Sequence, residues 1–216
     1  MWRENPGNKV GRHYMVVHFI PYRGVQGPTP VKDAQIGNGT QTLRRMPYYG
    51  LYDYSQSSMI YLADELTTAG LGAGSRIYTI SFQFTGWSTG YTVNNQTIKV
   101  SHVQESVMPE RGDPQHSELK LSDTTVVKDK FQHVIPSNEN WEAFLFDVEF
   151  VWDGTSNILI SWENRDGSWK SGYGSGVGTA PAKEGARGHN WFSDRRYPDA
   201  PSGWDNGVPN LRLSTR

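Results

Sequence analysis

Acidic pairs, histidines and aromatic rings are the side chains of this sequence with chemistry to offer. Asp147 and Glu149 stand two residues apart, so an extended strand would put both carboxylates on one face. Glycoside hydrolysis needs two acids facing each other at about 5–9.5 Å. The same alternation makes this pair the solvent side of a core strand, and that reading is preferred. The six histidines, at positions 13, 18, 102, 116, 133 and 189, show no H-x-H or H-E-x-x-H spacing, which argues against a zinc centre. Gly172-Tyr173-Gly174-Ser175-Gly176 has its glycines misplaced for a nucleophile elbow, and no glycine-rich phosphate loop with its lysine follows a strand. The expectation is a protein that is not an enzyme, with a hydrolase as a distant third reading.

Two other sets remain. Oxygen donors suitable for calcium occur at Asp153 and Asn157, which bracket one turn, and at Asp64 and Glu65, near another. Neither is a dedicated loop, and plain capped turns are the preferred reading, so no cofactor is expected beyond this candidate calcium. Trp169, Tyr173, Trp191, Tyr197 and Trp204 crowd a late stretch with Asn190, Asp194 and Asp205 between them. Flat rings beside hydrogen-bonding groups suit a glycan. Rings that fold the loop onto the body or bury against a neighbouring subunit fit as well, and are favoured because large exposed aromatic patches are costly.

The elements that would position these groups are strands. Ile80, Phe82 and Phe84 alternate with Thr79, Ser81 and Gln83; Ile98 and Val100 alternate with Thr97, Lys99 and Ser101. Phe144, Phe146, Val148 and Phe150 oppose Asp147 and Glu149, with Leu145 out of step, and Ile158, Ile160 and Trp162 form another apolar row. Weaker strands are expected over 14–20, 124–128, 131–135 and 210–213. Eight to ten strands result, enough for an all-β, two-sheet antiparallel sandwich of jelly-roll-like form. Met59, Leu62, Ala63 and Leu66 have helical spacing ended by Gly70, which predicts a strand through Ile60–Tyr61 followed by a helical turn. Hairpin-like turns are expected at Val93-Asn94-Asn95, Trp152-Asp153-Gly154 and Arg165-Asp166-Gly167. Gln26-Gly27-Pro28-Thr29-Pro30 separates an N-terminal arm or extra strand, 1–34, from a sandwich domain, 35–216; the stretch 167–207 is expected to be a long loop rich in glycine and aromatics.

Two stretches carry a resemblance to a known family. Gly37 and Thr40, Pro47, Tyr52, Tyr54-Ser55, Met59-Ile60-Tyr61, Glu65-Leu66 and the Gly70 turn before Ile77 form one; Phe150-Val151-Trp152-Asp153-Gly154-Thr155-Ser156-Asn157-Ile158-Leu159-Ile160 forms the other. With the closing Pro209-Asn210-Leu211-Arg212-Leu213, the wording over 35–213 resembles β-sandwich domains of Bacteroidota surface and secreted proteins, of the gingipain-adhesin type. The resemblance implies a sandwich fold and a role in holding or binding.

Composition bounds the rest. In 216 residues, 21 basic and 22 acidic side chains leave a net charge of −1, which gives no field to gather nucleic acid. Arg44-Arg45 and Arg195-Arg196 read as solvated surface features. Eight Trp, eleven Tyr and eight Phe fill a core efficiently, and zero Cys excludes disulfides and thiolate metal sites. No apolar run approaches the ~20 residues that span a bilayer, and the opening residues do not read as a signal peptide. Arg111-Gly112-Asp113 is read as a chance integrin-type tripeptide. Asn38-Gly39-Thr40 and Asn95-Gln96-Thr97 would accept glycans only after eukaryotic secretion.

These observations lead to an expected non-enzymatic structural or adhesion module: a phage virion protein such as a capsid decoration, fibre or tail component, located in the virion. Its partners would be copies of itself or other virion proteins, engaged through the arm by strand addition, with surface glycans as a further partner and no nucleic acid or membrane. The alternative is a secreted or cell-surface adhesin or carbohydrate-binding domain.

Overall fold

Alternating apolar side chains become paired strands because each strand then buries one face and satisfies its backbone in a neighbour. The computed structural model describes residues 32–85, 91–108, 123–136, 138–170, 175–179, 185–197, 203–205 and 207–216. The arm through residue 31 lies outside them. Among the described residues there are thirteen strands and one short helix. These are β1 (Lys32–Ile36), β2 (Gln41–Pro47), β3 (Tyr54–Tyr61), α1 (Ala63–Thr68), β4 (Arg76–Thr85), β5 (Thr92–Val103), β6 (Thr125–Val134), β7 (Glu139–Val151), β8 (Asn157–Asn164), β9 (Ser175–Thr179), β10 (Gly188–Ser193), β11 (Gly203–Asp205), β12 (Val208–Pro209) and β13 (Leu211–Thr215).

They form two sheets in which every pairing is antiparallel. Sheet A runs β1-β13-β4-β9-β12, with β7 on the other side of β4 and β2 on β9; sheet B runs β11-β10-β3-β8-β5-β6. The protein is an all-β two-sheet sandwich. Between the sheets, Ile80, Phe82, Phe84, Phe144, Leu211 and Leu213 of sheet A meet Met59, Tyr61, Ile98, Val100, Ile160 and Trp162 of sheet B. Burying a ring such as Phe82 contributes about 1.5–3 kcal/mol. Several polar groups inside this core are hydrogen-bonded. The Trp162 indole donates to Gln96 Oε1 at 2.8 Å, Gln96 donates to Asn164 Oδ1 at 2.6 Å, and the Tyr61 hydroxyl donates to Pro209 O at 2.9 Å.

The two sheets differ on their outer faces. Ile60, Leu159 and Val103 point outward from sheet B and form a second small core with Met108, whose N–H donates to Ala186 O. Segments 104–108 and 185–187 thus cover part of sheet B. Sheet A instead carries polar side chains outward from β13 and β4, while β7 mixes Glu139 and Asp147 with the exposed Leu145 and Val148.

Several expectations change. The late stretch 167–207 is not one long loop, because it supplies β9, β10 and β11. Glycine hides β9 from a period-two reading, and close packing explains the glycine. A Cβ at Gly178 would sit 2.3 Å from Val208 O. Val93-Asn94-Asn95 is not a hairpin turn: it lies inside β5, where Asn95 takes a positive φ of 52° at a register irregularity. Trp152-Asp153-Gly154 does turn the chain, with Gly154 at φ 89°, but it links β7 of sheet A to β8 of sheet B. Arg165-Asp166-Gly167 likewise leads from sheet B to sheet A. The expected strands 124–128 and 131–135 are one strand, β6, and the expected strand 14–20 lies outside the described residues. Val148 does not join the core. The β4–β7 register jumps between Ile77–Phe150 and Thr79–Leu145, and the extra residues on β7 bulge and turn Val148 outward. The helical turn after Tyr61 is α1, its entry held by the Leu62 N–H donating to Glu65 at 3.0 Å. The boundary expected between 34 and 35 falls inside β1, where Ala34 is buried.

Candidate functional site

The outward-facing positions of sheet A build a cleft of about 540 Å³, within the range of small-molecule sites. Its floor comes from successive outward residues of two paired strands. Gln83 and Thr85 of β4 stand opposite Trp141 and Glu139 of β7. β13 adds Arg212, β1 adds Gln35, and the 37–40 connection forms a wall through Asn38, Gly39 and Thr40.

Two sets of contacts fix the geometry. Asn210, almost fully buried, clasps Gly39 at both ends: the Gly39 N–H donates to Asn210 Oδ1 at 2.9 Å, and Asn210 Nδ2 donates to Gly39 O at 2.8 Å. Asn210 Nδ2 also donates to Gln83 Oε1 at 2.9 Å, and Gln83 Nε2 donates to Glu139 Oε1 at 2.7 Å. Alongside, Arg212 Nε donates to Gln35 Oε1 at 3.0 Å and its guanidinium lies 3.9 Å from the Trp141 ring centroid. Gln35 in turn donates to Gly37 O at 3.2 Å. Side chains locked in this way present the cleft as a preformed surface.

The residues singled out from sequence are placed as follows. Asp147 and Glu149 do not converge on a shared point. Asp147 accepts the Asp129 N–H at 3.1 Å with Lys128 3.9 Å away, while Glu149 is paired with Arg76 at 2.8 Å and with Arg216. Asp153 caps its own turn: both Thr155 and Ser156 N–H groups donate to Oδ1 at 2.8 Å, and the Ser156 hydroxyl donates to Oδ2 at 2.6 Å. Desolvation opposes ionisation there, but the bonds from Ser156 and Thr155 and the nearby His102 outweigh it and hold the carboxyl down at about 2. Asn157 accepts the Ala63 N–H at 2.8 Å, tying β8 to the start of α1. Glu65 pairs with Arg187 at 2.7 Å, and Asp64 is exposed. Among the described residues no three His, Asp or Glu side chains gather as a metal centre.

Of the aromatic set, Trp191 sits on β10 in register with Gln56, edge-on to His189 at 5.8 Å. Tyr197 is largely covered, donating to Gln56 Oε1 at 2.5 Å with the Arg165 guanidinium 3.5 Å from its ring centre. Burial, helped by Glu163, pushes its phenol pKa up. Trp204 lies on β11 in register with His189. Trp169 is 61% exposed, its N–H donating to Asp53 Oδ1 at 2.7 Å. Tyr173 lies outside the described residues. Gln83, Glu139, Trp141 and Arg212 carry no motif that marks them as site residues in the sequence. For Gln83 the available signal is its outward phase on the strand whose inward residues are Ile80, Phe82 and Phe84.

Comparison with protein-family models finds no family that matches this chain, and comparison with curated proteins finds no matching relative.

Proposed function

We propose that this chain is a non-enzymatic structural and adhesion module, carried on a phage particle as a decoration, fibre or tail component. The observation that carries the adhesion half is the preformed polar cleft on the outer face of sheet A. It offers hydrogen-bonding groups and a tryptophan on rigid strands. The assembly half draws on exposed apolar side chains of the neighbouring strands β6 and β7: Val126, Leu145, Val148 and Val151, with Leu145 62% exposed. Side chains of this kind on the adjacent edge strands of the two sheets gain stability when a neighbouring subunit covers them.

The alternative reading is a secreted or cell-surface adhesin. The cleft favours it equally, without need of the apolar strands. Two experiments separate them. Proteomics of purified particles finds the chain if it is a virion component. Sedimentation at rising concentration then gives an oligomer for the wild type and a monomer for Leu145→Glu. A chain that stays monomeric and is missing from particles, yet adheres to cells, belongs to the adhesin reading. A chain that neither assembles nor adheres refutes both.

A further inference from the structure

Resting on the adhesion reading, we infer that the sheet A cleft is a site for a neutral saccharide, held by Glu139, Gln83, Arg212 and Trp141. Hydrogen-bonding capacity decides the ligand class. Both N–H groups of Asn210 are taken by Gly39 and Gln83, and Gln83 gives one of its two N–H groups to Glu139. Among the described residues, acceptor capacity remains at Glu139 Oε2 and donor capacity at the second N–H of Gln83 and the terminal N–H groups of Arg212, with the Thr40 and Thr42 hydroxyls beside them able to do either. The occupant must therefore donate to one wall and accept from the others. A hydroxyl does both, and a ring bearing adjacent hydroxyls does so at several points together.

Charge narrows the choice further. Glu139 and Trp141 are successive outward residues of β7, roughly 7 Å apart at the rise of a strand. The Arg212 guanidinium lies over that Trp141, so opposite charges flank one short cleft. A carboxylate, sulfate or phosphate would gain Arg212 but meet Glu139, and a cation would meet the reverse. A neutral ligand meets neither penalty. Trp141 and Val177 add apolar surface against which the C–H face of a sugar ring packs.

The test uses the full chain on a printed array of neutral and acidic glycans, followed by calorimetry with the strongest neutral binder. Glu139→Gln preserves shape at an exposed position, and Arg212→Met preserves the packing stem over Trp141. The expected result is binding confined to neutral glycans, weakened at least tenfold in each variant with urea midpoints unchanged. Binding confined to acidic glycans overturns the inference, as does neutral binding that both variants retain. Adhesion to cells without any glycan binding overturns it too, while leaving the adhesion reading standing; loss of both defeats the two together.

Discussion

Acidification should destabilise this protein through one histidine. His133, on β6, is enclosed by rings: Phe144 at 5.1 Å, Phe84 at 5.5 Å, Tyr48 at 5.8 Å and Trp162 at 6.0 Å between centroids. Its Nε2 has no hydrogen-bond partner among the described residues, and only 7% of the residue is exposed. Burial without a counter-charge disfavours the imidazolium and lowers the pKa from 6.5 to about 4. In the unfolded chain the ring takes a proton near the ordinary value; in the folded protein it stays neutral. The stabilisation is therefore fully present above pH 6.5 and is lost as pH falls toward 4, with no further loss from this group below that. A gap of about 2.5 units, at about 1.4 kcal/mol per unit, corresponds to roughly 3 kcal/mol. Urea unfolding of the wild type and of His133→Phe, at intervals from pH 8 to pH 3.5, isolates the effect from the carboxylates and other histidines. Phe keeps the ring and removes the titration. The wild type should lose about 3 kcal/mol more than the variant across that span. Parallel curves for the two proteins would refute the reasoning.

Further outcomes follow from the packing and the turns. Gly178→Ala places a methyl against Val208 O and should cost about 1–3 kcal/mol, read from the shift in urea midpoint. Asp153→Ala removes three hydrogen bonds of the β7–β8 turn and should cost about 1 kcal/mol, with faster amide exchange at Thr155 and Ser156. Trp162→Phe strands the Gln96 carbonyl in the core and should cost about 2 kcal/mol or more; a midpoint within error of wild type would contradict it.

Strand phase was the legible part of this chain. Ile80, Phe82 and Phe84 declare both the strand and the side that faces the core, because period two admits no other regular structure. Gly176 and Gly178 declare nothing of the kind. Their side-chain-free backbone is what close approach to β2 and β12 demands, so β9 reads as loop until its neighbours are placed. Bulges are equally silent: nothing in the Leu145–Val148 wording announces the register jump that turns Val148 to solvent. The cleft was hidden for a different reason. Gln35, Gln83, Trp141 and Arg212 are distant in sequence and ordinary as solvent-facing strand residues. Only the order β1-β13-β4-β7 sets them side by side.

The most direct measurement is hydrogen-exchange footprinting of the full chain bound to isolated host-envelope material. Recognition through sheet A predicts protection confined to residues 35–42, 83–85, 139–141 and 210–212, with none on β10. Protection concentrated on β10 and β11, or a bound chain with the sheet A cleft still exchanging freely, would contradict it.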